Sequence, residues 1–344
     1  MSIYHTLRVR AVVVETDDAK SLLLDVPPEA AALFAYKPGQ FLTLRLPVQG
    51  RHVPRCYSMS SAPALDEGLR ITVKRVPQGR GSNWICDRVK AGDTLQVLPP
   101  AGVFTPRSLA GDFLLLAGGS GITPVLAILR SALLQGRGRI VLLYANRDER
   151  SVIFRDELKA LAAAHPARLA VIHWFDTVQG VPSVAQLAEL ARPFCGAQAF
   201  ICGPGPFMEA ASDALLAIGM PPEQVHVERF ASLPDEEDAT ARAYDAPPEG
   251  GVDEAQVEIA LDGVRHSLTC RGNESLLDAA ERAGLTLPHS CRAGLCASCM
   301  CQVVEGEVHL RHNDVLDKKD LAKGWTLACQ AVPMSPRLGV KFPE

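Results

Sequence analysis

The chain has 344 residues, room for two or three domains of ~100–200 residues each, and 35 basic against 39 acidic residues leave a formal charge of −4, which gives no basic surface for nucleic acid. No apolar run approaches the ~18 residues of a membrane helix, and Met1 to Arg10 carries neither an apolar core nor a small-residue cleavage site, so a cytoplasmic protein is expected. Ten cysteines in a long chain with a full apolar core point to metal or redox chemistry rather than to disulfides.

Residues 1–108 read as β-rich. Leu7–Val14, Phe41–Leu46 and Leu69–Lys74 alternate or carry β-branched residues, and Gly/Pro turns separate them. Several such strands predict an antiparallel β-barrel. Arg55-Cys56-Tyr57-Ser58-Met59-Ser60 ends one strand. A flavin site needs a flat aromatic for its ring, a hydroxyl near N5 and a cation for its pyrophosphate; Tyr57, Ser58 and Arg55 supply these. Taken alone, the motif reads equally well as a strand with one solvated arginine. Val73-Lys74-Arg75 is followed by Gly79-Arg80-Gly81-Ser82-Asn83, ahead of a helical stretch Asn83–Val89. Gly81, Ser82 and Asn83 can cradle phosphate at a helix N-terminus. Met59, Val73 and Lys74 complete the candidate flavin-binding residues.

Residues 109–231 change period. Phe113–Ala117 is a short apolar run typical of a strand covered on both faces. Gly118-Gly119-Ser120-Gly121-Ile122-Thr123-Pro124 follows, with Thr123 expected as N-cap and Pro124 as the first helical residue. Further strands are expected at Ile140–Tyr144, Leu169–His173, Ala199–Cys202 and Val225–Glu228, with helices between, so the sheet should be parallel. The glycine loop follows a strand and opens a helix, as a dinucleotide site requires, although Pro124 stands where a G-x-G-x-x-G pattern has its last glycine. Cys202-Gly203-Pro204-Gly205-Pro206-Phe207-Met208 ends a later strand. Ligands of open α/β sheets sit beyond the carboxyl ends of strands, so the two loops are expected to converge; Cys202 reads either as a buried small residue or, with Tyr57 and Ser58, as a catalytic candidate, placed beside the nicotinamide, and Met208 is a cofactor-binding candidate. Asn146-Arg147-Asp148-Glu149-Arg150 offers both an acid, which favours NADH, and arginines, which favour the 2′-phosphate of NADPH. His165, His173 and His226 do not cluster with metal-ligand spacing and read as structural or surface residues.

Residues 232–252 are acidic and rich in Pro and Gly, the composition of a linker. Residues 253–344 then form a third domain. Val257, Ile259 and Leu261 alternate with polar residues, Asp262-Gly263 is a two-residue hairpin turn, and Val264, His266 and Leu268 return. Ser275–Ala283 reads as a helix closed by Gly284. Cys291, Cys296 and Cys299 are spaced C-x4-C-x2-C, with Cys329 distant: the plant-type [2Fe–2S] spacing, in which a tight loop presents three of four thiolates. Gly294, Ala293, Ala297 and Ser298 allow the backbone close to the cluster. Zinc is the competing metal, but its sites usually come as paired short-spaced hooks, and here the fourth cysteine stands alone. The spacing leaves Cys301 as a buried thiol opening the next strand.

Together Arg55-x-Tyr57-Ser58, the 118–124 loop, the 202–208 loop and the C-terminal cysteine spacing resemble the ferredoxin-reductase-like reductases of bacterial oxygenases. The resemblance covers nearly the whole chain. Leu143–Asp148, Ser151–Phe154, Phe200–Met208 and Asn313–Leu316 bring it nearest the branch serving 3-ketosteroid 9α-hydroxylases, and the domain order is also similar to that of the phenylacetyl-CoA epoxidase reductase. The resemblance implies an FAD barrel, a nicotinamide domain and a β-grasp [2Fe–2S] ferredoxin domain. It implies that Arg55 holds flavin phosphate, Tyr57 stacks on the isoalloxazine, Ser58 lies near N5, and Gly81 and Ser82 bind the pyrophosphate. Gly118, Gly119, Ser120, Gly121, Thr123 and Pro124, with Cys202, Gly203 and Pro204, would bind the coenzyme, with Asn146 and Arg147 nearby and Phe230 near the flavin. It also implies NADH as donor and a terminal Rieske-type oxygenase acting on steroids as acceptor. A hydride carries two electrons and the cluster takes one, so the flavin stands between them. A reductase for another oxygenase, or a flavin and iron–sulfur redox sensor, are the alternatives.

Overall fold

Alternating apolar residues fold the first hundred positions into an antiparallel sheet of β1 (His5–Thr16), β2 (Ala19–Asp25), β3 (Phe41–Val48), β4 (Arg51–Ser58), β5 (Leu69–Lys74) and β6 (Thr94–Val97), ordered β4-β3-β6-β1-β2-β5. The computed structural model describes residues 4–230, 248–289, 291–294, 297–313, 315–316 and 318–343. Just past β4, Met59 bridges to Ile71 of β5, and the Ser60 amide donates to the Arg70 carbonyl at 2.7 Å. The two outer strands therefore meet, and the sheet closes as the expected barrel. Leu22, Leu24, Leu42, Leu44, Leu46 and Ile71 are fully buried, each contributing roughly 1.5–3 kcal/mol of hydrophobic stabilisation. Helix α1 (Arg80–Arg88) starts three residues before the expected Asn83, so Gly81 and Ser82 lie in its first turn.

Parallel strands β7 (Phe113–Gly118), β8 (Ile140–Asn146), β9 (Leu169–Phe175), β10 (Gln198–Cys202) and β11 (Val225–Glu228) form a second sheet, ordered β11-β10-β7-β8-β9. Helices α2 (Ile122–Gln135), α3 (Arg155–Ala164), α4 (Asp176–Gln179), α5 (Val184–Ala191) and α6 (Gly205–Ala217) alternate with its strands. Every residue of β7 and β8 is buried, the reason these segments read as unbroken apolar runs. The chain leaves β7 for β8 on one side and later returns to β10 on the other. The carboxyl ends of β7 and β10 thus flank the switch point where such sheets bind ligands. Ala19 and Phe104 share one apolar core with Phe113, Leu115, Ile128 and Phe200, which joins this sheet to the barrel.

Thr123 is not an N-cap. A 3-10 turn at Gly119–Gly121 winds the chain early, so α2 begins at Ile122, and the Thr123 hydroxyl donates back to the Ser120 carbonyl at 3.1 Å.

The C-terminal part has β12 (Glu254–Leu261), β13 (Val264–Arg271), helix α7 (Leu276–Arg282), β14 (Met300–Glu305), β15 (Val308–Leu310), β16 (Trp325–Leu327), β17 (Ala331–Pro333) and β18 (Arg337–Lys341). Its main sheet is ordered β13-β12-β18-β14-β16, with β12 and β18 parallel, and β15 pairs β17 separately. With α7 packed across, this is the β-grasp arrangement. Asp262 and Gly263 both have positive φ, 50° and 76°, as a type I′ hairpin turn requires. Ser275 caps α7, Gly284 follows it at φ 79°, and the Leu285 amide reaches back to the Ala280 carbonyl. The described residues divide into two compact units, one from within 1–48, 55–100 and 104–231 and the other from within 49–54, 101–103 and 232–344. Residues 231–247, most of the expected linker, lie outside the described residues. No described helix is long and apolar enough to cross a membrane.

Candidate functional site

Arg55, Tyr57 and Ser58 stand at the end of β4, and Gly81 and Ser82 in the first turn of α1. The sequence separates these groups; the barrel joins them. A Cβ on Gly81 would lie 2.8 Å from Arg55 Cγ and 3.4 Å from the Tyr57 hydroxyl, so the two side chains lie directly on the first-turn backbone of α1. A guanidinium, a phenol and helix N-terminal amides in one patch form a donor set that fits a dinucleotide pyrophosphate, and the Tyr57 ring offers an aromatic face. Burial pushes the Tyr57 phenol far above its ordinary range against the pull of Arg55, so it stays neutral. Ser58 is buried. The Ser82 hydroxyl accepts from the Val76 amide at 3.2 Å, and Asn83 donates to the Val76 carbonyl, fixing the 76–83 loop. Met59 and Val73 are fully buried.

The two glycine loops at the switch point touch backbone to backbone. A Cβ on Gly121 would lie 2.1 Å from the Cys202 carbonyl oxygen; one on Gly118 would lie 2.7 Å from Pro204 Cδ, and one on Gly203 3.0 Å from Gly118 Cα. The convergence expected from the sequence is therefore present. Tyr144, wholly buried on β8, donates from its hydroxyl to the Gly119 carbonyl at 3.0 Å, and Gly119 has φ 52°. The Cβ position of Gly119 lies 3.8 Å from Lys74 Nζ at the end of β5, and Lys74 pairs with Asp18 at 3.7 Å. The strand carrying flavin candidates thus meets the loop carrying coenzyme candidates. Asp18, Lys74, Arg75, Asn83 and Arg147 line one open cleft there.

Cys202 is fully buried, and burial, followed by the charge of Glu228 beside it on β11, drives its thiol well above the ordinary value. Its thiol is therefore held neutral at the carboxyl end of β10. Asp148 accepts from the Ser151 amide (2.9 Å), the Ser151 hydroxyl (2.7 Å) and Arg147 Nε (3.2 Å), which hold its carboxyl below the ordinary range. The acid and base that left the coenzyme choice open are thus engaged with each other. Asn146 is buried at the end of β8 and Met208 on the core face of α6, while Phe230 is half exposed beyond β11. His173 stacks on Phe175 and His226 on Phe200, and burial lowers both imidazole pKa values, as suits structural histidines. Reading the sequence did not single out Tyr144, Asp18 or Glu228. Asp18 sits in a turn and Tyr144 in an apolar strand, so neither carries a local signal; Glu228 stood only at the end of the expected strand Val225–Glu228.

In the C-terminal unit Cys291, Cys299 and Cys329 are buried, while Cys296 lies outside the described residues. Backbone amides point at sulfur: Ala293 N donates to Cys291 Sγ at 3.4 Å, and Cys329 N to Cys299 Sγ at 3.5 Å. Such donors suit thiolates carrying the negative charge of a cluster, and the residues fit a [2Fe–2S] centre. The loop turns through positive φ at Arg292 (53°), Gly294 (74°) and Ala297 (55°). Gly294 is required there, because a Cβ would meet the His312 carbonyl oxygen at 2.5 Å. Gln330 donates to the Arg292 carbonyl at 2.8 Å, tying the Cys291 segment to that of Cys329. Cys301 is a buried residue of β14, paired with Thr326 of β16.

Comparison with known proteins agrees with this arrangement. Residues 6–105 match the oxidoreductase FAD-binding domain family, 115–213 the oxidoreductase NAD-binding domain family and 259–334 the 2Fe-2S iron-sulfur cluster binding domain family. The chain is 50% identical over 337 residues to the 3-ketosteroid-9-alpha-monooxygenase ferredoxin reductase component of Rhodococcus rhodochrous, covering 98% of this chain and 96% of that one. It is 34% identical to a subunit of the 1,2-phenylacetyl-CoA epoxidase of Escherichia coli, covering 99% and 98% of the two chains. The crystal structure of phthalate dioxygenase reductase shares the fold, with a TM-score of 0.60 at 24% identity over 98% of each chain. FAD, a nicotinamide dinucleotide and a [2Fe–2S] cluster are accordingly its cofactors, and the chain belongs to the family of the 3-ketosteroid-9-alpha-monooxygenase ferredoxin reductase components.

Proposed function

We propose that this reductase takes hydride from NADH and delivers single electrons to the terminal oxygenase of a 3-ketosteroid 9α-hydroxylase, a Rieske-type enzyme. The observation carrying the reading is the contact of the 118–121 and 202–203 loops beside Lys74, which brings a coenzyme loop to the flavin strand. When bound, FAD supplies the exchange between two-electron and one-electron chemistry, and the cluster supplies one-electron transfer. The protein's part is to bind and orient. With FAD bound, Arg55, Gly81 and Ser82 would hold its phosphates, Tyr57 would offer an aromatic face to the ring, and Ser58 would supply a hydroxyl near N5. Gly118 to Pro124 and Cys202 to Pro204 hold the coenzyme, Lys74 adds positive charge beside it, and the neutral Cys202 thiol helps exclude water. Cys291, Cys296, Cys299 and Cys329 ligate the cluster. Residues 1–108, 109–231 and 253–344 are the corresponding domains.

Anaerobic stopped-flow mixing with NADH and with NADPH tests the reading. Rapid bleaching of a combined flavin and iron–sulfur spectrum by NADH is expected. Both chromophores without rapid bleaching by either coenzyme would leave a redox sensor. Reconstitution with the two purified oxygenases separates the steroid hydroxylase from the phenylacetyl-CoA epoxidase as acceptor.

A further inference from the structure

Four charged side chains cross twice between the barrel and the parallel-sheet part of the N-terminal unit. Arg130 of α2 donates through Nη1 and Nη2 to Asp66 Oδ2 and Oδ1 at 2.5 and 2.9 Å, a bidentate pair to the barrel. Its Nε lies 3.2 Å from Glu157 Oε1 of α3. Glu157 in turn accepts from Arg70 of β5, at 2.9 Å from Nη1 and 3.3 Å from Nη2. Arg70 also donates to the Ser60 carbonyl at 3.0 Å, and its guanidinium lies 4.9 Å from the ring centre of Phe154, just before α3. Isolated surface ion pairs contribute little. This set differs, since side-chain exposures run only from 16% at Arg130 to 29% at Asp66, and both crossings are forks.

What the network holds gives it meaning. Arg130 lies about two turns into α2, the helix opened by the 118–124 loop. Ser60 lies two residues beyond Ser58, and Arg70 four residues before Lys74 on the same strand. One closed set of bonds therefore grips the coenzyme helix and both strands bearing the flavin candidates. A helix is stiff, so loss of the grip displaces its N-terminus relative to the barrel.

We propose that Asp66, Arg70, Arg130 and Glu157 form a clamp that sets the approach of nicotinamide to flavin, with Arg130 and Glu157 as positioning residues for hydride transfer. The inference rests on the NADH-to-flavin reading above. Near-attack geometry is steep in distance: a shift of about 1 Å can cost on the order of a hundredfold in rate. A clamp needed only for stability would lower the melting temperature and leave the hydride step alone.

The test uses the full-length, FAD-loaded protein carrying Glu157→Gln or Arg130→Met. The limiting rate of flavin reduction at saturating NADH should fall by about tenfold or more, with flavin content and the iron–sulfur spectrum unchanged. Amide hydrogen exchange, followed also in the flavin-free protein, should rise together in residues 60–70 and 122–135. A flavin-loaded variant whose limiting rate stays within about twofold of wild type overturns the clamp, whatever its melting temperature. If Arg130→Met does not fold, the nearly isosteric Glu157→Gln decides. A wild-type protein that NADH does not reduce refutes the coenzyme reading instead.

Discussion

Gly121→Ala is the most informative single change, because the obstacle it creates is backbone. The new Cβ would sit 2.1 Å from the Cys202 carbonyl oxygen, 2.3 Å from its carbon and 2.6 Å from the Gly203 nitrogen. An ordinary contact begins near 3.4 Å, so the loops must separate by about 1.3 Å. Overpacking of this kind costs about 1–3 kcal/mol, which a protein of this size survives. The geometric cost is larger, because a displacement near 1 Å at a coenzyme site can cost on the order of a hundredfold in rate. The assay is stopped-flow reduction of the FAD-loaded protein over a range of NADH concentrations, with flavin content and melting temperature measured alongside. We expect kcat/KM for flavin reduction to fall by about a hundredfold while bound FAD is unchanged. Gly205→Ala is the control: a Cβ there meets nothing within 4 Å, so it should behave as wild type. A folded Gly121→Ala protein reduced at the wild-type rate would refute the argument that this contact sets the coenzyme site.

Three further changes test other parts of the molecule. Tyr144→Phe removes the 3.0 Å bond to the Gly119 carbonyl and should cost about 0.5–1.5 kcal/mol, read by thermal melting and by weaker NADH binding. Cys299→Ser should lose the iron–sulfur absorbance, whereas Cys301→Ser, within β14, should retain about two irons per chain by metal analysis; loss of iron in both would contradict the ligand assignment. Stability should respond to pH in opposite senses at two carboxyls. Burial alone would raise Asp66, but its bonds from Arg130 and the Ala62 amide hold it below the ordinary range. Its contribution is present above the ordinary carboxylate pKa and lost as pH falls through the lowered one, so Asp66→Asn should flatten the acid limb of melting temperature against pH. Glu15 is raised, chiefly by burial, so its contribution is present below the ordinary value and lost as pH rises through the folded one; Glu15→Gln should stabilise the protein most at the higher end of the range.

The local pieces of this protein were determined by its sequence. Strand alternation in Leu69–Lys74, the unbroken apolar run of Phe113–Ala117, the Asp262-Gly263 turn and the cysteine spacing all express covalent geometry over a few residues, which the chain carries with it. The error at Thr123 has the same scale: a good capping residue was overtaken by the tighter turn at Gly119–Gly121, whose winding depends on glycine freedom rather than on side-chain preference. Tertiary structure alone decided the rest. That Gly121 presses on Cys202 follows from β10 lying beside β7, and strand order is not encoded in either strand's period. Lys74 reaches Gly119, and Arg130 and Arg70 find Asp66 and Glu157 across 64 and 87 residues of chain. Such pairs carry no spacing to read. They form because burying the core shared by Ala19, Phe104 and Phe200 packs the barrel against the parallel sheet, and the charged groups beside that interface then find their partners.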